Sequence, residues 1–195
     1  MRKIRLAALC SGKGRGSNFQ ALAHYFAGHS FIELSLVIAS RTKCGAWEKA
    51  EKLQISREKI SPLSQNFSQK LLDTLAKYQI DMVALAGFMS KIPESVLAAF
   101  PGKIVNIHPA LLPKYGGKGM YGHYVHEQVW QNGDSESGAT VHIVDEKYDH
   151  GKIIGQEKIS LPKNASPEQI AQLVLQVEHR LYAPTIEAYI KKIYG

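Results

Sequence analysis

The chain has 195 residues, is 45% hydrophobic and carries a net charge of +7; that length supports one domain with a real core, and no apolar run approaches the roughly 20 residues of a spanning helix, so no membrane segment is expected. The lysines and arginines are scattered rather than blocked, which argues against nucleic-acid binding and fits a site for small anions. Two cysteines, Cys10 and Cys44, without metal-ligand spacing, point to a reducing cytoplasm.

The basic start resembles a signal peptide only superficially, because Ser11-Gly12-Lys13 interrupts the apolar run, and residues 3–10 read as a first strand. A glycine-rich loop, Ser11–Asn18, leads into a helix over 18–27 ended by Gly28. Next come a strand (32–39), a helix (45–53), a short strand (56–60) and an amphipathic helix (67–79) with Leu71, Leu72, Leu75 and Tyr78 on one face. Residues 81–87 form a continuous apolar run, as in a strand buried on both sides. A short helix follows Pro93, and a strand then ends at Asn106-Ile107-His108. Residues 115–123 are a loop rich in glycine and tyrosine, and 124–131 a helix stopped at Asn132-Gly133. Strands over 138–145 and 152–160 pair as an antiparallel extension, and a long helix spans 167–191 with Ser166 as N-cap, Pro167 at N1 and Glu168 in the first turn. Alternation of strands and helices implies an α/β fold with a mostly parallel sheet. With no repeat or linker, one domain over 1–195 is expected.

Asn106 and His108 are two apart in a strand, so both side chains leave one face while Ile107 leaves the other. Pro109 has no N–H and ends the ladder, placing the pair at the carboxyl end, where α/β sheets bind ligands. An amide donor and an imidazole there suit oxyanion stabilisation and proton transfer; the bland alternative is a capping Asn and a satisfied core His. The glycine-rich loop is either a phosphate cradle, with Lys13 and Arg15 adding charge, or a tight turn capped by Ser17 or Asn18. It is not a Walker loop, since Gly16-Ser17-Asn18 stands where Gly-Lys-Ser/Thr belongs. It also lacks the third glycine of the dinucleotide fingerprint, and Ser40-Arg41 replaces the ribose-binding acid. Asp149 could orient His108 or simply be a turn residue. Among eight histidines, His123 and His126 are three apart without a His-Glu-x-x-His pattern, so no metal is expected. His142 could face the core or the site, and His24 and His29 read as surface residues.

Five signals occur in fixed order: Ser11–Asn18, Leu85-Ala-Gly-Phe-Met89, Asn106-Ile-His-Pro-Ala-Leu-Leu-Pro113, Gly138-Ala-Thr-Val-His142 and Asp149. Together they resemble the phosphoribosylglycinamide formyltransferase family of purine biosynthesis over nearly the whole chain. The resemblance implies a Rossmann-like formyltransferase fold, with ribonucleotide binding in the first half and folate binding and catalysis in the second. It implies 10-formyltetrahydrofolate as co-substrate and no metal. The catalytic residues it implies are Asn106, His108 and Asp149. Gly16, Ser17 and Asn18 would hold the substrate phosphate and Glu178, before His179, the ribose. Phe88, Met89, Ser90, Lys91, Ile92, Asn106 and Val144 would line the folate site. A cytoplasmic monomer or homodimer acting on small molecules is expected.

Departures from the family pattern are visible. Lys13-Gly14-Arg15 looks like a two-residue insertion, and Ser90-Lys91 stands where many members have Arg-Ile. Ser64 lies near where some members place a folate-contacting Arg, and the loop from Tyr115 to Gly122 is longer and richer in glycine than usual. His150 takes the middle of the frequent Asp-x-Gly. Formyltransferases for tRNA carry a further RNA-binding domain and formyltetrahydrofolate hydrolases an N-terminal regulatory one; neither is expected here. A silent binding module would need the trio broken, and all three residues are present.

Overall fold

A computed structural model describes residues 2–12 and 14–195; the charge expected at Lys13 lies outside them. Thirteen elements follow in chain order: β1 (Ile4–Cys10), α1 (Ser17–Tyr25), β2 (Ile32–Ala39), α2 (Gly45–Lys52), β3 (Ser56–Lys59), α3 (Phe67–Lys77), β4 (Met82–Leu85), α4 (Glu94–Ala99), β5 (Ile104–His108), α5 (His123–Gln131), β6 (Glu136–Ile143), β7 (Ile153–Ser160) and α6 (Pro167–Tyr194). The sheet order is β3-β2-β1-β4-β5-β6-β7. β1 runs parallel to β2 and β4, β2 runs parallel to β3, and β6 and β7 are antiparallel. The α/β class, the mostly parallel sheet, the antiparallel extension and the long final helix all stand as the sequence reads them.

The chain forms two compact units, one ending at Val105 and the other starting at Asn106. In the first unit the core lies on β1, β2 and β4, whose Leu6–Cys10, Leu34–Ala39 and Met82–Leu85 are buried throughout, the polar Ser35 included. Continuous apolar runs of this kind are what a sheet covered on both faces requires. Asp81 ties the start of β1: its carboxylate accepts two N–H groups of Arg2, at 2.7 and 3.0 Å, and the backbone N–H of Arg5 at 2.8 Å. His29 is not a plain surface residue, because its Nδ1 accepts the backbone N–H of Ile32 at 3.1 Å at the entry to β2.

In the second unit α6 packs on β6, β7 and α5. Ser166 accepts the Gln169 N–H and the Gln169 side chain accepts the Ser166 N–H, a capping box worth roughly 1 kcal/mol at the helix start. Ile170, Val174, Val177, Ile186 and Ile190 form the buried stripe, each contributing about 1.5–3 kcal/mol through burial. The helix runs to Tyr194, past the expected end at 191 and through Pro184, because this stripe continues beyond it.

Other boundaries differ by one to three residues. α3 ends at Lys77 with Tyr78 as its cap rather than a member of the apolar face, and β4 is limited to Met82–Leu85, the extended backbone breaking at Gly87 with φ 74°. The cap of α1 also differs. Neither Ser17 nor Asn18 occupies the cap; Gly16 does, in the left-handed conformation (φ 68°, ψ 31°), with no side-chain cap hydrogen bond. Glycine fits that backbone at little cost, and a Cβ there would lie 2.5 Å from the Ala46 nitrogen.

Candidate active site

β5 delivers Asn106 half-buried and His108 buried, with Ile107 on the opposite face. The turn that follows is fixed by Thr140 on β6. Its hydroxyl donates to the Ala110 carbonyl at 2.6 Å and accepts the Leu112 N–H at 3.1 Å. Gln156 on β7 donates to both the Thr140 hydroxyl (2.8 Å) and the Leu112 carbonyl (3.0 Å). A polar network satisfied in this way around the buried Thr140 holds a strand end rigidly.

Asp149 sits in the β6–β7 connection with a left-handed backbone, φ 54°, a conformation Asp tolerates better than most residues. Its Oδ1 is 3.4 Å from His108 Nδ1, 3.5 Å from Asn106 Nδ2 and 3.5 Å from His142 Nε2, and its Oδ2 accepts the Gly117 N–H at 3.0 Å. Burial alone would raise this carboxyl. His108 and the Gly117 N–H outweigh burial and hold it well below the usual carboxylate range. Asp149 is therefore an ionised group at neutral pH.

The histidine rings are oriented by their acceptors. His108 Nε2 lies 2.8 Å from the Tyr115 carbonyl, which can only accept, so that nitrogen carries a proton. Its Nδ1 faces the Asp149 carboxylate, so both ring nitrogens point at acceptors. His142 Nδ1 is 3.0 Å from the Ile143 carbonyl and carries the proton there. Its Nε2 then accepts from the Asn106 amide nitrogen at 3.1 Å. His142 thus faces the site and fixes which way the Asn106 amide points. The connection is closed by Gly151, where a Cβ would lie 1.8 Å from the Ile143 oxygen. Gly151→Ala must push away the carbonyl that orients His142. We expect about a tenfold or greater loss of kcat with the fold retained; unchanged turnover would show that this carbonyl's position is immaterial.

His126 on α5 is also buried, and its Nδ1 has no hydrogen-bond partner among the described residues. Burial first, then the charges at His123 and His108, push its pKa down to about 4. In an unfolded chain His titrates near 6.5, so as pH falls the unfolded state binds the proton first. The contribution of neutral His126 is present above about pH 6.5 and is lost as pH drops towards 4. We expect His126→Leu to flatten that part of a plot of Tm against pH; an unchanged slope would assign the acid sensitivity elsewhere. Among the described residues no group of three His, Cys, Asp or Glu is placed to hold a metal ion.

The remaining expected site residues are placed as follows. Gly16, Ser17 and Asn18 form the start of α1. Phe88, Met89, Ser90, Lys91 and Ile92 lie between β4 and α4. Phe88 stacks on Phe67 with ring centroids 6.3 Å apart, Met89 is exposed and Ile92 is buried. Val144 follows the end of β6, and Glu178 is buried on α6. The structure brings Asn106, His108 and Asp149 together, and adds two groups that no side-chain pattern announces, the Tyr115 carbonyl and the Gly117 N–H. His142 reads from the sequence only as a strand residue that could face the core or the site, and the fold puts it beside Asn106.

Residues 4–186 match the formyl transferase family. The chain belongs to that family. It is 38% identical to the chloroplastic phosphoribosylglycinamide formyltransferase of Arabidopsis thaliana over 96% of this chain and 65% of that protein, so it spans slightly less than two thirds of that relative. It is 32% identical to the phosphoribosylglycinamide formyltransferase of Bacillus subtilis over 89% of each chain. Among solved structures, the phosphoribosylglycinamide formyltransferase of Anaplasma phagocytophilum superposes with a TM-score of 0.87 at 30% identity, covering 98% of this chain and 89% of that one. No helix among the described residues is long and apolar enough to cross a membrane.

Proposed function

We propose that this member transfers the formyl group of 10-formyltetrahydrofolate to the amino group of 5-phosphoribosylglycinamide. The observation that carries this reading is the convergence of His108, Asn106 and His142 on one Asp149 oxygen, at 3.4–3.5 Å. Contacts that long leave the His108 Nδ1–H and the Asn106 N–H loosely held beside a common point. An oxygen gaining negative charge competes for both.

In this reading the substrate amine attacks the formyl carbon, a C–N bond forms and the carbonyl oxygen becomes an oxyanion. His108 and Asn106 donate to that oxyanion. Asp149 keeps His108 in its donating form and hands the amine proton, through water, towards the folate nitrogen as its bond to carbon breaks. Net proton change is zero, and no side chain becomes a covalent nucleophile. The start of α1 supports a phosphate subsite at Gly16, Ser17 and Asn18. It has no side-chain cap hydrogen bond and no acidic residue in its first turn, so no carboxylate of the helix itself offsets the positive end of its dipole towards an anion. Phe88, Met89, Ser90, Lys91, Ile92 and Val144 are assigned to the folate and Glu178 to the ribose on the strength of the family pattern alone. We place the activity in a single domain over 1–195, cytoplasmic, monomeric or homodimeric and without nucleic acid.

The test is spectrophotometric. Deformylated folate should be released from 10-formyltetrahydrofolate only when the ribonucleotide is added. Release without it would make the protein a hydrolase, and no release with it would remove this acceptor.

A further inference from the structure

We propose that Tyr115 is a positioning residue for His108: its hydroxyl anchors the backbone carbonyl that holds the imidazole. The inference rests on the reading of His108 as the oxyanion donor, and it adds a residue outside the trio.

The Tyr115 carbonyl receives the His108 Nε2 proton at 2.8 Å, the shortest of the ring's two polar contacts; the Asp149 side is longer at 3.4 Å. The ring is therefore held firmly on the side away from Asp149 and loosely on the working side. The carbonyl's direction depends on an unusual backbone. Tyr115 has φ 59°, a region that bulky side chains seldom occupy. What keeps it there is visible at the other end of the side chain. The Tyr115 hydroxyl donates to Asp134 Oδ2 at 2.7 Å and accepts from Asn132 Nδ2 at 2.7 Å. Lys114 bonds both Asp134 oxygens at 2.7 Å, and its ammonium lies 4.9 Å from the Tyr115 ring centroid. Asn132 and Asp134 belong to the turn between α5 and β6, which is itself tied back by the Asp134 N–H to Val129. A rigid turn thus fixes the phenol, the phenol fixes a left-handed residue, and that residue aims its carbonyl at His108. Two residues on, the Gly117 N–H reaches Asp149, so one anchored segment touches both members of the pair.

The test compares Tyr115→Phe, which keeps the carbonyl and the ring, with Asn132→Ala, an exposed change that removes one hydroxyl partner without touching Tyr115. Two quantities are read. One is solvent exchange of the His108 Nε2 proton, followed by NMR in ring-labelled protein. The other is steady-state kinetics with both co-substrates. For Tyr115→Phe we expect proton exchange to quicken at least tenfold. We also expect kcat to fall about tenfold, with each KM within about twofold. Asn132→Ala should move both quantities the same way by a smaller factor. Unchanged exchange in both variants overturns the proposal, even where turnover drops. Faster exchange with unchanged turnover upholds the anchor and instead refutes His108 as the donor.

Discussion

His108→Ala should lose kcat by about 100- to 1000-fold while KM for each co-substrate changes little, the loss typical of one preorganised oxyanion donor. His108 is buried on β5 and held between two acceptors, so in the proposed mechanism it would meet the oxyanion without rearranging. Truncation leaves the Asp149 carboxylate without one of the contacts that keep it ionised, and leaves the Tyr115 carbonyl without its donor. Steady-state kinetics at saturating concentrations of both co-substrates decide it. Near-normal turnover would remove His108 from the chemistry, and a large rise in KM with intact kcat would make it a binding residue.

Asp149→Asn should cost on the order of 10³–10⁴ in kcat, by analogy with the aspartate that holds a catalytic histidine in other enzymes. Asn tolerates the left-handed backbone at this position, so the turn should stand. The amide can accept from Gly117 but presents no charge to His108. The same substitution has a signature in stability. The native carboxyl is held below its usual range, so its contribution is fully present above the unfolded pKa of about 4 and is lost as pH falls below that. The Tm difference between wild type and variant should be constant from pH 5 upward and shrink below pH 4. A variant with wild-type turnover, or a Tm difference that does not narrow in acid, would contradict the assigned interactions.

Much of this was legible in the sequence because periodicity and punctuation are local. The strand at 32–39 reads directly from its apolar run, and the Ser166-Pro167-Glu168 start of α6 reads from cap chemistry. Asn106 and His108 declared their shared face through two-residue spacing, and Asp149 beside them was a family implication that the 3.4 Å contact supports. What escaped depends on the backbone. Gly16 capped α1 in place of Ser17 or Asn18 because the left-handed conformation there suits glycine. The Tyr115 carbonyl and the Gly117 N–H carry no residue-type signal at all, since every residue has them. His142 alternates in β6, and only the tertiary fold decides that this face meets Asn106.

The most direct test of the site is a double-mutant cycle on single-turnover formyl transfer with His108→Ala, Asp149→Asn and the pair together. If Asp149 works through His108, the double variant should lie within about threefold of the slower single, as groups that act as one unit do. If the two losses multiply, Asp149 and His108 act independently, and the site as assigned here is wrong.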